Sequence, residues 1–270
     1  MLRMAAASLI LALFCGGTCP AGEPTPVTVS KGTEIETYKT VGNTELKIYI
    51  LPARTDVMPR KTGVVFFFGG GWNVGRPNAD FWINKLVKSG YRVFCPDYRI
   101  KTRDNSTPVD SMADGIDAFQ WVVDNAARFG LDPDKIAAAG FSAGGHLAAA
   151  TALFGKGRKP CALILRSPVL DTTPTGYLGN FKELLSGKTG LEISPLHHLE
   201  KGFPPTLIMH GDADTCVPFS GSQQFADKLK TLGSPCLLIP IPNGNHMTLS
   251  LKDYDDHSGE IEGFLSKYAP

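Results

Sequence analysis

Apolar residues in this chain change their spacing repeatedly, and each change marks a new element. Residues 34–51 alternate apolar with polar, the period of strands with one wet face, and Gly42-Asn43 interrupts them where a hairpin turn belongs. Residues 63–68 are continuously apolar and end in three glycines, as a strand buried on both faces would. A helix is predicted over 78–89, closed by Gly90, then a strand over 91–95. The clearest helix covers 108–129. Thr107 suits its N-cap and Pro108 its first position, Met112, Ile116, Phe119, Val123 and Ala126 recur at helical spacing, and Gly130 suits the left-handed C-terminal cap. Further strands are predicted at 136–139, 162–165, 206–209 and 237–241, with helices at 146–154, about 223–232 and about 259–268. Such alternation predicts an α/β fold, a mainly parallel sheet covered by helices on both faces with antiparallel edge strands at its N-terminal end. Residues 170–205 break the rhythm with weak periodicity and scattered Gly, Pro and Thr. They follow the sixth strand and read as a lid-like insertion.

Composition narrows the classes. The chain has 270 residues, 43% hydrophobic and 20% charged, which excludes a disordered tail. Its formal charge of +1 provides no sequence-wide field for nucleic acid. Residues 1–21 read as a signal peptide: Arg3, an apolar core over 5–14, and Cys19-Pro20-Ala21 before the cleavage point. Its removal takes Arg3 and no acidic residue, leaving a neutral chain expected to be secreted or periplasmic; a lipoprotein anchor on Cys15 or Cys19 is the weaker alternative. No later segment is apolar enough to span a bilayer. Residues 22–270 are expected to form one domain, with oligomeric state open. Export leaves Cys95, Cys161, Cys216 and Cys236 in an oxidising compartment. Cys216 and Cys236 are a candidate disulfide, with buried thiols the alternative.

The chemistry concentrates at strand ends. Gly140-Phe141-Ser142-Ala143-Gly144 joins a predicted strand directly to a predicted helix, the setting of a nucleophile elbow. A serine hydroxyl needs a base, and the base an orienting acid. His210-Gly211-Asp212-Ala213-Asp214 follows the strand at 206–209, and Gly244-Asn245-His246 follows the strand at 237–241. Both loops fall at carboxyl ends of strands, where α/β sheets place their sites. Asp214 is favoured over Asp212, which suits a turn-forming side-chain bond. His246 is favoured among the histidines, since His146 and His210 suit packed positions. His197-His198 is a weak metal pair. Gly69-Gly70-Gly71 and the Ala143 N–H are candidate oxyanion donors. No metal or organic cofactor is implied.

With these residues assembled, the chain resembles the α/β-hydrolase superfamily over almost its whole mature length. Within it, the resemblance is to hormone-sensitive-lipase-like and bifunctional feruloyl/acetyl-xylan esterases. The matching motifs are Gly69-Gly70-Gly71-Trp72, Asp97-Tyr98-Arg99, Gly140-Phe141-Ser142-Ala143-Gly144-Gly145-His146, Pro204-Pro205-Thr206 through Asp214, and His246. The resemblance implies a serine esterase with Ser142, Asp214 and His246 as triad and Gly70, Gly71 and Ala143 as oxyanion hole. Its substrate would be a small-molecule or carbohydrate ester, with acetyl or feruloyl groups as the expected acids. Phe68 departs from the family pattern, which has His before the three glycines, so altered loop packing is expected there. A serine peptidase of prolyl-oligopeptidase type and a non-catalytic hydrolase-fold binding protein are the rival expectations.

Overall fold

The computed structural model describes residues 32–270 apart from 53, 55, 78–80, 178–180 and 248–250. The expected signal segment, with Cys15 and Cys19, lies outside the described residues. The strands are β1 (Glu34–Val41), β2 (Thr44–Ile50), β3 (Gly63–Phe67), β4 (Arg92–Pro96), β5 (Ile136–Phe141), β6 (Leu163–Arg166), β7 (Thr206–Gly211) and β8 (Cys236–Ile241). They form one sheet in the order β1-β2-β4-β3-β5-β6-β7-β8. β1 pairs antiparallel with β2, and β2 with β4; every other pairing is parallel. The register of β1 on β2 shifts between Thr37 and Lys39, a bulge on the outer strand.

The helices are α1 (Phe81–Lys88), α2 (Lys101–Asp104), α3 (Pro108–Asn125), α4 (Ala143–Leu153), α5 (Lys182–Leu185), α6 (Lys188–Glu192), α7 (Phe219–Thr231), α8 (Leu251–Asp256) and α9 (Ser258–Tyr268). Two apolar clusters coat the sheet. One joins Val65, Phe67 and Leu165 to Phe119, Leu147 and Phe225; the other joins Val64, Phe66 and Ile164 to Ile83, Ile261 and Phe264. Adjacent strand residues thus face opposite layers, and burying both faces is why β3 is apolar at every position. α3 begins as its sequence requires, with Thr107 and Asp110 capping each other's backbone N–H. The short elements α2, α5, α6 and α8 were not legible in the pattern, since four to six residues are too few to display a 3.6-residue period.

The insertion 170–205 contains α5, α6 and a 3₁₀ turn over Pro195–His198. It buries Tyr177, Phe181, Leu185, Ile193 and Leu196. Its buried polar groups are paired: Thr172 donates to the Gly190 carbonyl at 2.6 Å and Ser194 bonds His197 at 2.9 Å. His198 contacts the Leu191 carbonyl instead of joining His197 at a common point.

One expected pairing is corrected. Cys216 is disulfide-bonded, but Cys236 carries a thiol, as do Cys95 and Cys161. The reason lies in the parallel strands. Cys236 sits beside Thr206 at the start of β7, whereas Cys216 follows its end. Six residues of strand separate those levels by about 17 Å, against a disulfide Cα separation of about 6 Å.

Candidate active site

Ser142 lies between β5 and α4 with φ 56° and ψ −121°. This left-handed backbone is costly for a residue with a side chain, on the order of 1–3 kcal/mol. Surrounding contacts impose it. The Ser142 N–H bonds the Arg166 carbonyl and its own carbonyl receives Val169 N–H. At Gly144 a side chain is impossible, since a Cβ there would land on the carbonyl oxygens of Phe67 and Phe68. The elbow is therefore locked against the strand that carries the glycine loop. Ser142 occupies the N-cap of α4, yet its hydroxyl caps nothing.

That hydroxyl points at His246, with Oγ 3.0 Å from Nε2. His246 Nδ1 lies 2.7 Å from Asp214 Oδ2. The Asp214 side chain is fully buried, and its other oxygen accepts the N–H groups of Cys216 and Val217, each at 2.8 Å. Burial pushes its carboxyl pKa up, but hydrogen bonds from His210 and His246, the His246 charge and the Val217 N–H together outweigh that. The group is held well below the usual carboxylate range, ionised at neutral pH. An ionised Asp214 can only accept, so Nδ1 of His246 carries the proton and Nε2 presents a lone pair to Ser142.

The sequence did not reveal how Asp214 is supported. His210, read as a packed strand-end residue, places Nε2 3.1 Å from Asp214 Oδ2 and Nδ1 2.8 Å from Ser222 Oγ. The chain of bonds thus runs from Ser142 through His246 and Asp214 to His210 and Ser222. The four-residue separation of His210 and Asp214 was the available signal. The Asp212 carboxylate accepts the Asn243 N–H at 2.7 Å, so its bond ties the two loops together rather than closing its own turn. The Phe141 ring stacks on His246 at 5.0 Å and carries the Arg166 guanidinium 4.2 Å from its centroid.

The glycine loop completes the arrangement. Gly70, Gly71 and Trp72 all have positive φ (129°, 60° and 55°). Among the described residues, no backbone acceptor is found for the N–H groups of Gly70, Gly71 or Ala143. Trp72 is fully buried against His146, Tyr177 and Phe181. His146 is buried too, with Nε2 2.8 Å from the Ile193 carbonyl, and burial lowers its pKa to about 4. It is therefore neutral, donating from Nε2 to the insertion. Phe68, where the family pattern has His, stacks on Tyr98 at 4.1 Å. Tyr98 in turn donates to the Phe68 carbonyl at 2.8 Å, so the Asp97-Tyr98-Arg99 turn braces the loop from behind.

Fold and site together define the class: the chain is an α/β-hydrolase of the esterase group. The BD-FAE family model matches residues 46–182 and 186–229, and the chain belongs to that family. It is similar to Esterase LipQ of Mycobacterium tuberculosis, 26% identical over 221 residues, which cover 72% of this chain and 52% of that protein. It is also similar to an acetylxylan esterase of Xylanibacter ruminicola, 27% identical over 207 residues, covering 70% of this chain and 41% of that one. The chain thus spans about half the length of these curated relatives. A thermophilic esterase of Thermogutta terrifontis, Est2, superposes with a TM-score of 0.78 at 33% identity, covering 92% of this chain and 97% of the other. Forms of that esterase are described as propionate-bound, butyrate-bound and phosphorylated by paraoxon.

Proposed function

We propose that this protein hydrolyses carboxylic esters through an acyl-enzyme on Ser142. The observation that carries the reading is the continuous contact from Ser142 to His246 to Asp214, at 3.0 and 2.7 Å. His246 Nε2 takes the hydroxyl proton as Ser142 Oγ attacks the ester carbonyl, and Asp214 stabilises the imidazolium that forms. The carbonyl oxygen gains negative charge and is met by the N–H groups of Gly70, Gly71 and Ala143. Collapse expels the alcohol, protonated by His246. Water then enters, is deprotonated by the same nitrogen and releases the acid.

Short acyl groups on carbohydrate alcohols are the proposed substrates. The acetylxylan esterase relative supports the alcohol side, and the propionate- and butyrate-bound forms of Est2 support short acids. Feruloyl esters belong to the same proposal. The N-terminal segment supports a secreted or periplasmic setting. An ester panel from acetyl to long acyl chains, with acetylated xylan and methyl ferulate, tests this. Turnover of the short members is expected and should vanish in Ser142→Ala. Activity confined to long chains overturns the carbohydrate assignment, and no ester turnover at all overturns the whole reading.

A further inference from the structure

Tyr177 belongs to the insertion, yet its hydroxyl reaches the glycine loop. A methyl group built on Gly71 would lie 2.8 Å from Tyr177 Oη, so this phenol occupies the space immediately beside the Gly71 backbone. The residue is only 6% exposed, and Tyr177 takes part in no hydrogen bond through its side chain among the described residues. Its oxygen is not one of the buried side-chain atoms left without a partner, so the ring is buried while the hydroxyl at its tip keeps contact with solvent. A ring held at this depth with its polar end unused is placed for a ligand.

The placement is enforced. The Tyr177 N–H bonds the Asp171 carbonyl at 2.9 Å. The Asp171 carboxylate gathers the Thr173 N–H at 2.8 Å and the Thr175 hydroxyl at 3.2 Å, closing a turn over 171–177. Gly176 packs so tightly on Asp171 that a Cβ there would strike its carbonyl. Trp72 lies against the Tyr177 ring at 5.8 Å and itself continues the glycine loop. The root of the insertion is fixed to the elbow as well, through the bond from Val169 N–H to the Ser142 carbonyl.

We propose that the Tyr177 hydroxyl is a further catalytic residue, donating a hydrogen bond to the substrate carbonyl oxygen as it becomes the oxyanion beside Gly70, Gly71 and Ala143. This rests on the esterase reading above. The phenol keeps its proton throughout. It donates to the oxygen while the tetrahedral intermediate exists and loosens when the carbonyl reforms. Burial alone pushes its pKa up, so it stays a neutral donor at every pH where an ester is usefully turned over. Asp171 is a positioning residue that acts through it.

Steady-state kinetics of Tyr177→Phe on p-nitrophenyl acetate and butyrate test the proposal. The ring remains, so the thermal midpoint should hold. kcat is expected to fall about a hundredfold or more with KM within about twofold, the loss typical of removing one oxyanion donor. Labelling of Ser142 by a fluorophosphonate, which also builds charge on an oxygen, should slow by a similar factor. Asp171→Ala should lose less, and the double variant no more than Tyr177→Phe alone. A Tyr177→Phe enzyme with unchanged kcat, or with a change confined to KM, overturns the assignment while leaving the esterase reading intact. If that variant fails to fold, Asp171→Ala decides: an unchanged kcat there overturns it equally. A wild-type protein that turns over no ester removes both readings together.

Discussion

Gly144 in the elbow packs on the end of β3, just before the glycine loop, and Tyr177 in the insertion packs on the loop itself, but different forces hold them there. Gly144 is fixed by exclusion: its backbone runs so close to the end of β3 that no side chain fits, and the parallel register does the rest. Tyr177 is fixed by a handful of polar bonds around Asp171 and by apolar side chains pressed under the insertion. The sheet positions by backbone, where any substitution is severe. The insertion positions by side chains, which can be exchanged one at a time. The difference implies that Ser142, His246 and Asp214 are placed by the sheet, whereas the proposed Tyr177 donor is placed by the insertion.

The comparison can be broken from either side. Ser142→Ala should cost about five orders of magnitude or more in kcat, read on p-nitrophenyl acetate, and abolish fluorophosphonate labelling. Asp214→Asn should cost about four, because an amide there no longer fixes the His246 tautomer. Gly144→Ala should destabilise by more than about 4 kcal/mol in chemical denaturation, or yield no folded protein. The same change at Gly187 in the insertion meets nothing closer than 3.6 Å and should stay within about 0.5 kcal/mol. Equal losses at the two glycines would end the distinction.

His146 links the two regions, since it sits in α4 and donates to Ile193 of the insertion. Its folded pKa of about 4 lies below the unfolded value of about 6.5. The unfolded chain therefore binds the proton first, and this contribution to stability, complete above pH 6.5, is lost as pH falls toward 4. The loss should approach about 3 kcal/mol and be largely absent in His146→Phe, compared by denaturation midpoints across that window. Smaller still, Thr172→Val should cost about 1–2 kcal/mol by stranding the Gly190 carbonyl, with kcat nearly unchanged.

What could be read from sequence follows the same division. β3 and α3 announced themselves because burial on two faces, or on one helical stripe, leaves a period in the residues. Ser142, Asp214 and His246 were legible because strand ends order them along the chain, and the structure brings them into contact. The boundaries that slipped are instructive. The helix expected at 146 begins at Ala143, since the elbow serine is itself the cap, and α7 begins at Phe219 across a polar first turn. The insertion stayed opaque. Its helices are shorter than a repeat, and Asp171, Thr172 and Ser194 act on residues up to 24 positions away. His210 behind Asp214 left only its four-residue spacing as a signal, and Tyr177 beside Gly71 left none beyond residue type, because both depend on how loops meet in space. The proposed Cys216–Cys236 bond failed because a parallel crossover separates sequence neighbours by a strand's length.

The two margins of the sheet bear on how this protein behaves in crowded solution. β1, on one margin, is kinked by its bulge and carries Glu34, Glu36 and Lys39. β8, on the other, contains Pro240, which has no N–H to offer a newcomer. A foreign strand meets a bend and charged side chains on one side, and a missing donor on the other. Fibrillar self-association through either border is thereby discouraged, and concentrated protein should fail by losing its fold before it fails by growing sheets.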